Sequence, residues 1–267
     1  MSKEKCDLLL DTNFSALIKE VIEPDEIDVS SIKMNDTLNP LIWDNEILKE
    51  DVRKILLLNA KRFIQFAGIE KLKFKDIVFT GSMANFNYNE NSDIDIHIIL
   101  DFNQISENIE FVTDYFKLKK DLWANNIPVQ IKGYDVELYF QNSSEVHQST
   151  AVYSLVNNTW IRKPLKKIIN IDTVNVKSKT SDMMNMIDNL LQSQTSGDFI
   201  NNYKKVKNRI KKLRQSGLDV GGEYSSENLA FKILRNNGYL KKLIDSKNEY
   251  LTQELSLPES ENVELSA

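Results

Sequence analysis

The chain has 267 residues, enough for one catalytic domain with an accessory domain or for one large domain, and 41% of them are hydrophobic, which supports a sizeable core and argues against wholesale disorder. Its 34 Lys and Arg against 39 Asp and Glu give a formal charge of −5, which argues against a chain that wraps long nucleic acid and leaves room for a local basic groove. The single cysteine, Cys6, can build neither an internal disulfide nor a zinc cluster, and a cytoplasmic location is the expectation.

The amino terminus, MSKEKCDLLLD, carries too short an apolar run for a signal peptide, and no segment approaches the apolar length of a membrane span, so no membrane partner is expected. Residues 1–45, with the proline-bearing polar stretch EPDEIDVSSIKMNDTLNP, read as an N-terminal extension. From Asn45 to Ala67 the pattern is helical. Ile47, Asp51, Ile55, Asn59 and Phe63 recur at a four-residue interval, Leu56 and Phe66 flank them, and Gly68 is placed to end the helix. Ile77-Val78-Phe79 is a short apolar strand stopped by Thr80-Gly81-Ser82, and the turn-forming ANFNYNENS follows. Asp93 to Leu100 alternates, with Asp93, Asp95 and His97 on one face and Ile94, Ile96 and Ile98 on the other, and this predicts a strand. Asn108 to Asn125 predicts a helix with Phe111, Tyr115, Leu118 and Leu122 as its stripe. Tyr134 to Phe140 alternates again, with Asp135 and Glu137 opposite Val136 and Leu138. Helices interleaved with strands imply a mixed α/β layer over residues 46–145.

After Gln141 the character changes. Ser144 to Trp160 reads as helical with Val152, Leu155 and Val156 inward, and Pro164 interrupts. Lys179 to Gln192, with Met183, Met184, Ile187, Leu190 and Leu191, is the next helix, and Phe199 to Gln215 is a very basic one. Gly217, Gly221 and Gly222 are expected to break the chain before helices at Ser226–Leu234 and Tyr239–Leu251. Residues 146–258 therefore read as a helical accessory domain and 259–267 as a flexible tail.

Two carboxylates on one strand face, Asp93 and Asp95, lie ~6.6 Å apart at the Cα positions. That spacing lets them share a hard divalent ion of the kind that substrate phosphates complete. Glu137 reaches the same place if its strand neighbours theirs. A lone Asp-x-Asp is more often a wet strand face. Here the strand is otherwise apolar, and upstream Gly81 removes a side chain where backbone donors can meet phosphate, while Ser82 adds a hydroxyl.

The segment FTGSMANFNYNENSDIDIHIILD resembles the signature of the DNA polymerase β-like nucleotidyltransferase superfamily: an apolar strand, Gly-Ser, a loop, then Asp-apolar-Asp-apolar. The flanking LNPLIWDNEILKEDVRKILLLNAKRF also resembles the region before that signature in nucleotidyltransferase-like proteins, some from phages. The resemblance implies a small mixed β-sheet core with helices on one face, followed by a mostly helical domain. It implies a third carboxylate on GYDVELYFQ, for which Glu137 is favoured over Asp135, although many members carry aspartate there. It further implies two magnesium ions, with manganese able to substitute, held by Asp93, Asp95 and Glu137, and a nucleoside triphosphate bound by Gly81 and Ser82, with Ser92 bracing the loop. The activity it implies is transfer of a nucleoside monophosphate to the hydroxyl of an RNA end, a nucleotide, a protein or a small molecule, with release of pyrophosphate. His97 has no fixed role in the family.

Lys204, Lys205, Lys207, Arg209, Lys211, Lys212 and Arg214 follow one another without an acid. A solvated face is the plainer account. The sharper one is a patch for triphosphate or an RNA acceptor, with Lys207 and Lys211 as phosphate-binding residues. Tyr139, Tyr153 and Trp160 favour packing over base stacking, Asn85, Asn87, Asn89 and Asn91 favour turns, and His147 lacks a partner of metal-ligating type nearby. The alternatives to an enzyme are a non-catalytic nucleotide- or RNA-binding module and a protein-modifying component of a toxin–antitoxin pair. A two-metal phosphatase or nuclease is the nearest other enzyme.

Overall fold

A computed structural model describes residues 21–32, 34–146, 149–166, 170–193 and 197–256; Cys6, His147 and the expected tail lie outside these. The chain divides into two units, Ser30–Ile168 and the described parts of Met1–Val29 with Ile169–Ala267.

The first unit opens with a tight hairpin, β1 (Trp43–Asp44) and β2 (Ile47–Leu48), whose turn places Asn45 at φ 53°. Helix α1 (Glu50–Ala67) follows and ends where Gly68, at φ 72°, donates its N–H back to the carbonyls of Gln65 and Ile64. Strands β3 (Phe74–Thr80) and β4 (Ile94–Leu100) are antiparallel neighbours. Helix α2 (Ile109–Asn126) then carries the chain across to β5 (Gln130–Ile131) and β6 (Tyr134–Asn142). Strand β6 lies parallel to β4, a pairing that needs such a crossover. Strands β7 (Val152–Ser154) and β8 (Thr159–Arg162) complete a mixed six-stranded sheet in the order β5-β6-β4-β3-β7-β8.

Alternation along β4 and β6 assigns each face of the sheet. Ile94, Ile96, Ile98, Val136 and Leu138 are buried in one core with Val52, Leu56, Ala60 and Phe63 of α1 and Val112 and Phe116 of α2. Both helices therefore cover one face. Asp95, His97, Glu137 and Tyr139 line the opposite face, half-exposed.

Three expectations are corrected in this unit. The α1 stripe is not Ile47-Asp51-Ile55-Asn59; Ile47 belongs to β2, Ile55 is exposed, and the buried line is Val52-Leu56-Ala60-Phe63-Ala67. In α2 the residues expected inward, Phe111, Leu118 and Leu122, are exposed, and Val112, Phe116 and Trp123 are buried instead. The described residues between Ser144 and Trp160 form no helix. They contribute to the β7–β8 hairpin, with Asn158 at φ 54° in the turn and Tyr153 and Trp160 packed edge-on at 5.0 Å. Trp160 also stacks on Trp43 at 4.8 Å. Aromatic and β-branched residues favour this strand conformation, which places both rings in packing.

The second unit is helical: α3 (Thr173–Gln192), α4 (Phe199–Gly221), α5 (Ser226–Asn236) and α6 (Tyr239–Leu255). Asp172 and Ser225 cap α3 and α5 by accepting the backbone N–H groups of Asn175 and Asn228. Met183, Met184, Ile187, Ile210, Leu229, Ile233 and Leu243 are buried. Gly217 does not break the chain as expected. It lies inside α4, where a Cβ would stand 2.6 Å from both Glu227 Cβ and Ser225 Oγ, so the glycine serves close approach of α5 rather than helix ending. Among the described residues, no helix is long and apolar enough to cross a membrane.

Candidate active site

The parallel register of β4 and β6 sets Asp95 directly opposite Glu137, and the antiparallel register of β3 sets Thr80 on the other side of Asp95. Asp93 precedes β4 by one residue. The chain then leaves β3 through Gly81, at φ 79° and ψ −166°, a conformation essentially confined to glycine. A Cβ on Gly81 would lie 2.0 Å from Asp95 Oδ2, so the carboxylate occupies the space the glycine leaves. Ser82 begins a short 3-10 turn, Ser82–Ala84.

The loop between Ser82 and Asp93 is braced through Ser92. The Ser82 hydroxyl lies 2.9 Å from Ser92 Oγ, which also accepts the Asn89 N–H at 3.0 Å. Asn89 Oδ1 in turn accepts the Asn91 N–H at 2.8 Å, and Asn85 Nδ2 donates to Thr150 Oγ1 at 2.8 Å, so the asparagines satisfy turns and loop contacts. The Gly81 N–H points at Ser149 Oγ over a long 3.5 Å.

An open cleft of about 940 Å³ lies over this face, lined by Thr80, Gly81, Asp95, His97, Tyr139 and Gln141 among others. His97 Nδ1 and Gln141 Oε1 are 2.8 Å apart. Tyr139 lies between His97, at 5.0 Å between ring centroids, and Lys120, whose Nζ stands 3.7 Å from the Tyr139 ring centroid. Lys120 Nζ also reaches Glu137 Oε2 at 2.9 Å, and the Tyr139 hydroxyl donates to that same oxygen. Burial, and then the charges of Glu137, Asp95 and Asp93, hold the Tyr139 phenol far above its usual range, so it stays a donor.

The donor set suits a hard divalent ion, since Asp93, Asp95 and Glu137 offer only carboxylate oxygens and Gly81 makes the room that Asp95 needs. Among the described residues, however, no three acid, histidine or cysteine side chains converge closely enough to hold a metal as they stand. Glu137 faces Lys120 and Tyr139. Its neighbour Asp135 is exposed and accepts from Gln130 Nε2 at 2.8 Å. Lys207 and Lys211 are exposed on α4 of the helical unit. Sequence reasoning missed Lys120 as a site residue and treated Tyr139 as packing. Only the true rotation of α2 would have found Lys120.

Residues 65–164 match the family described as Nucleotidyltransferase domain. Over these residues the chain is similar to that family. Among solved structures it is similar to the STING-associated CdnE c-di-GMP synthase from Capnocytophaga granulosa, with 11% identity, 78% of this chain and 83% of that one covered, and a TM-score of 0.19. It is also similar to the E. coli MS115-1 CdnC:HORMA-deltaN complex, with 10% identity, 79% and 88% covered, and a TM-score of 0.22. No curated protein matches the chain.

Proposed function

We propose that the sheet unit transfers a nucleoside monophosphate from a nucleoside triphosphate to an acceptor hydroxyl and releases pyrophosphate. The observation that carries this reading is the opposition of Asp95 and Glu137 across parallel strands, beside the space that Gly81 leaves for Asp95. Asp93, Asp95 and Glu137 would hold magnesium, with manganese able to replace it. Magnesium held there would neutralise the triphosphate and acidify the acceptor hydroxyl. Glu137 would also take the acceptor proton. The Gly81 N–H, spent on a long contact to Ser149, exchanges it for a phosphate oxygen, and the Ser82 hydroxyl adds a second donor while Ser92 holds the loop. The exposed cations of α4, Lys207 and Lys211 among them, would form a patch for an anionic ligand, a triphosphate or an RNA. The acceptor class is an RNA end, a nucleotide, a protein or a small molecule.

The test is incubation with magnesium and each α-labelled nucleoside triphosphate, offering RNA, protein extract and small metabolites as acceptors, with pyrophosphate measured alongside. Losing an outer partner of a metal ligand costs about 10–100-fold, so Asp95→Asn, which alters a ligand itself, is expected to lower transfer at least about 100-fold while leaving thermal unfolding near wild type. Full transfer in that variant would overturn the reading.

A second reading, a nucleotide-binding module without catalysis, is favoured by one observation: Glu137 is engaged by Lys120 rather than grouped with the aspartates. Triphosphate binding without any transfer or pyrophosphate release would select it.

A further inference from the structure

Glu137 Oε2 accepts from two partners, Lys120 and Tyr139. Lys120 leaves the last turns of α2 and reaches Glu137 Oε2 at 2.9 Å, with both side chains only partly exposed, at 26% and 36%. Its ammonium also lies 3.7 Å from the Tyr139 ring centroid, and Tyr139 donates its hydroxyl to the same Glu137 oxygen. The lysine is thus fixed from two sides, by a carboxylate and by the face of a ring whose hydroxyl the same carboxylate binds. The next residue along the helix shows the contrast. Lys119 Nζ turns instead to the Phe66 carbonyl at 3.4 Å and to the rings of Phe66 and Tyr115.

We propose that Lys120 is an internal counter-ion for Glu137 which a divalent cation must displace, so that this lysine sets how tightly the site takes its metal. The inference rests on the assignment of Asp93, Asp95 and Glu137 as the metal-holding set. With Lys120 in place, Glu137 is neutralised and held toward α2. Binding of a cation at the carboxylates costs the ion pair and brings two positive charges near each other. The lysine would therefore keep the site selective for an ion delivered with its triphosphate, whose negative charge offsets the lysine.

The experiment is titration of the full chain with manganese alone, followed by electron paramagnetic resonance of the free ion. Asp95→Asn defines which binding belongs to the site. Lys120→Met is expected to bind manganese about fivefold tighter than wild type, in the range a partly exposed ion pair is worth. Lys119→Met, which removes the same charge one residue away, is expected to change affinity less than about twofold, and Lys120→Arg, which keeps the pair, is expected to stay near wild type. In a Glu137→Gln background, Lys120→Met is expected to have no further effect, because the coupling runs through that carboxylate. Equal effects of Lys120→Met and Lys119→Met, or weaker binding by Lys120→Met, would overturn the proposal and leave the metal assignment standing. No Asp95-dependent manganese binding in any of these proteins would overturn the metal assignment and the proposal with it.

Discussion

The Cβ that Gly81 lacks would lie 2.0 Å from Asp95 Oδ2, and the backbone there stands at φ 79°. Two separate costs would meet in Gly81→Ala: a strained backbone, and a carboxylate forced from its place. Such backbone strain costs of order 1–3 kcal/mol, and displacement of Asp95 adds to it. Gly81→Ala is expected to lower stability to denaturant by at least about 1 kcal/mol and to reduce transfer as far as Asp95→Asn does. In an Asp95→Ala background the added methyl meets no carboxylate and keeps only the milder 3.2 Å contact with the Cβ at position 95, so the same change should show mainly the backbone part. Equal losses in both backgrounds would show that the carboxylate does not rely on the glycine's space. Tyr139 belongs to the same scale. Its phenol, held far above the usual range by burial and by Glu137, Asp95 and Asp93, remains a hydrogen-bond donor wherever the carboxylates are charged.

At the scale of elements, α3 and α5 are joined by Lys179 and Glu227, 3.1 Å apart and each about one-quarter exposed. A backbone hydrogen bond, and then Lys179, hold the Glu227 carboxyl below its ordinary 4.5 against an opposing effect of burial. A depressed carboxyl contributes stability that is complete above its unfolded value and is lost as pH falls through its folded one. Lys179→Met is therefore expected to lower the melting temperature at pH 6, by an amount worth less than about 1 kcal/mol, and to narrow the gap between pH 6 and pH 3. An undiminished gap would show that Lys179 plays no part. The elements also show what the sequence could reveal. Strand β4 was readable because Ile94, Ile96 and Ile98 alternate against Asp95 and His97, and a period of two leaves no choice of face. The opposition of Asp95 and Glu137, with Gly81 beside Asp95, follows from that alternation plus the order of the strands. Helices α1 and α2 each carry a second, exposed apolar line beside the buried one: Ile55 and Leu58 in α1, Phe111, Leu118 and Leu122 in α2. Periodicity alone cannot choose between two lines one residue apart. That error of phase is also why Lys120 was not seen to face Glu137.

For the whole molecule, a formal charge of −5 coexists with an exposed cationic helix, α4, carrying Lys204, Lys205, Lys207, Arg209, Lys211 and Lys212. If this face grips a polyanion, removing two cations must change the salt dependence and not merely the affinity. For single-stranded nucleic acid, Lys207→Ala with Lys211→Ala is expected to make the dependence of log affinity on log salt shallower by up to about 1.4, measured with a labelled RNA oligonucleotide over a salt series. An unchanged RNA slope with weaker triphosphate binding would assign the two lysines to the nucleotide. No change in either would make the helix a solvated face.

The parallel pairing of β4 with β6 also bears on how the chain reaches this state. The β3–β4 pair is a local antiparallel partnership, whereas contacts between β4 and β6, such as that of His97 with Gln141, join residues 44 apart and wait for α2 to cross over. Pairings of such separation pay their loop-closure entropy before any contact rewards them, and they are expected to close late. Until then one edge of an isoleucine-rich strand stands open to other chains, a hazard during synthesis. The docking of β6 that ends this exposure is the same event that carries Glu137 to Asp95, so a chain that has completed its site has also lost its stickiest intermediate.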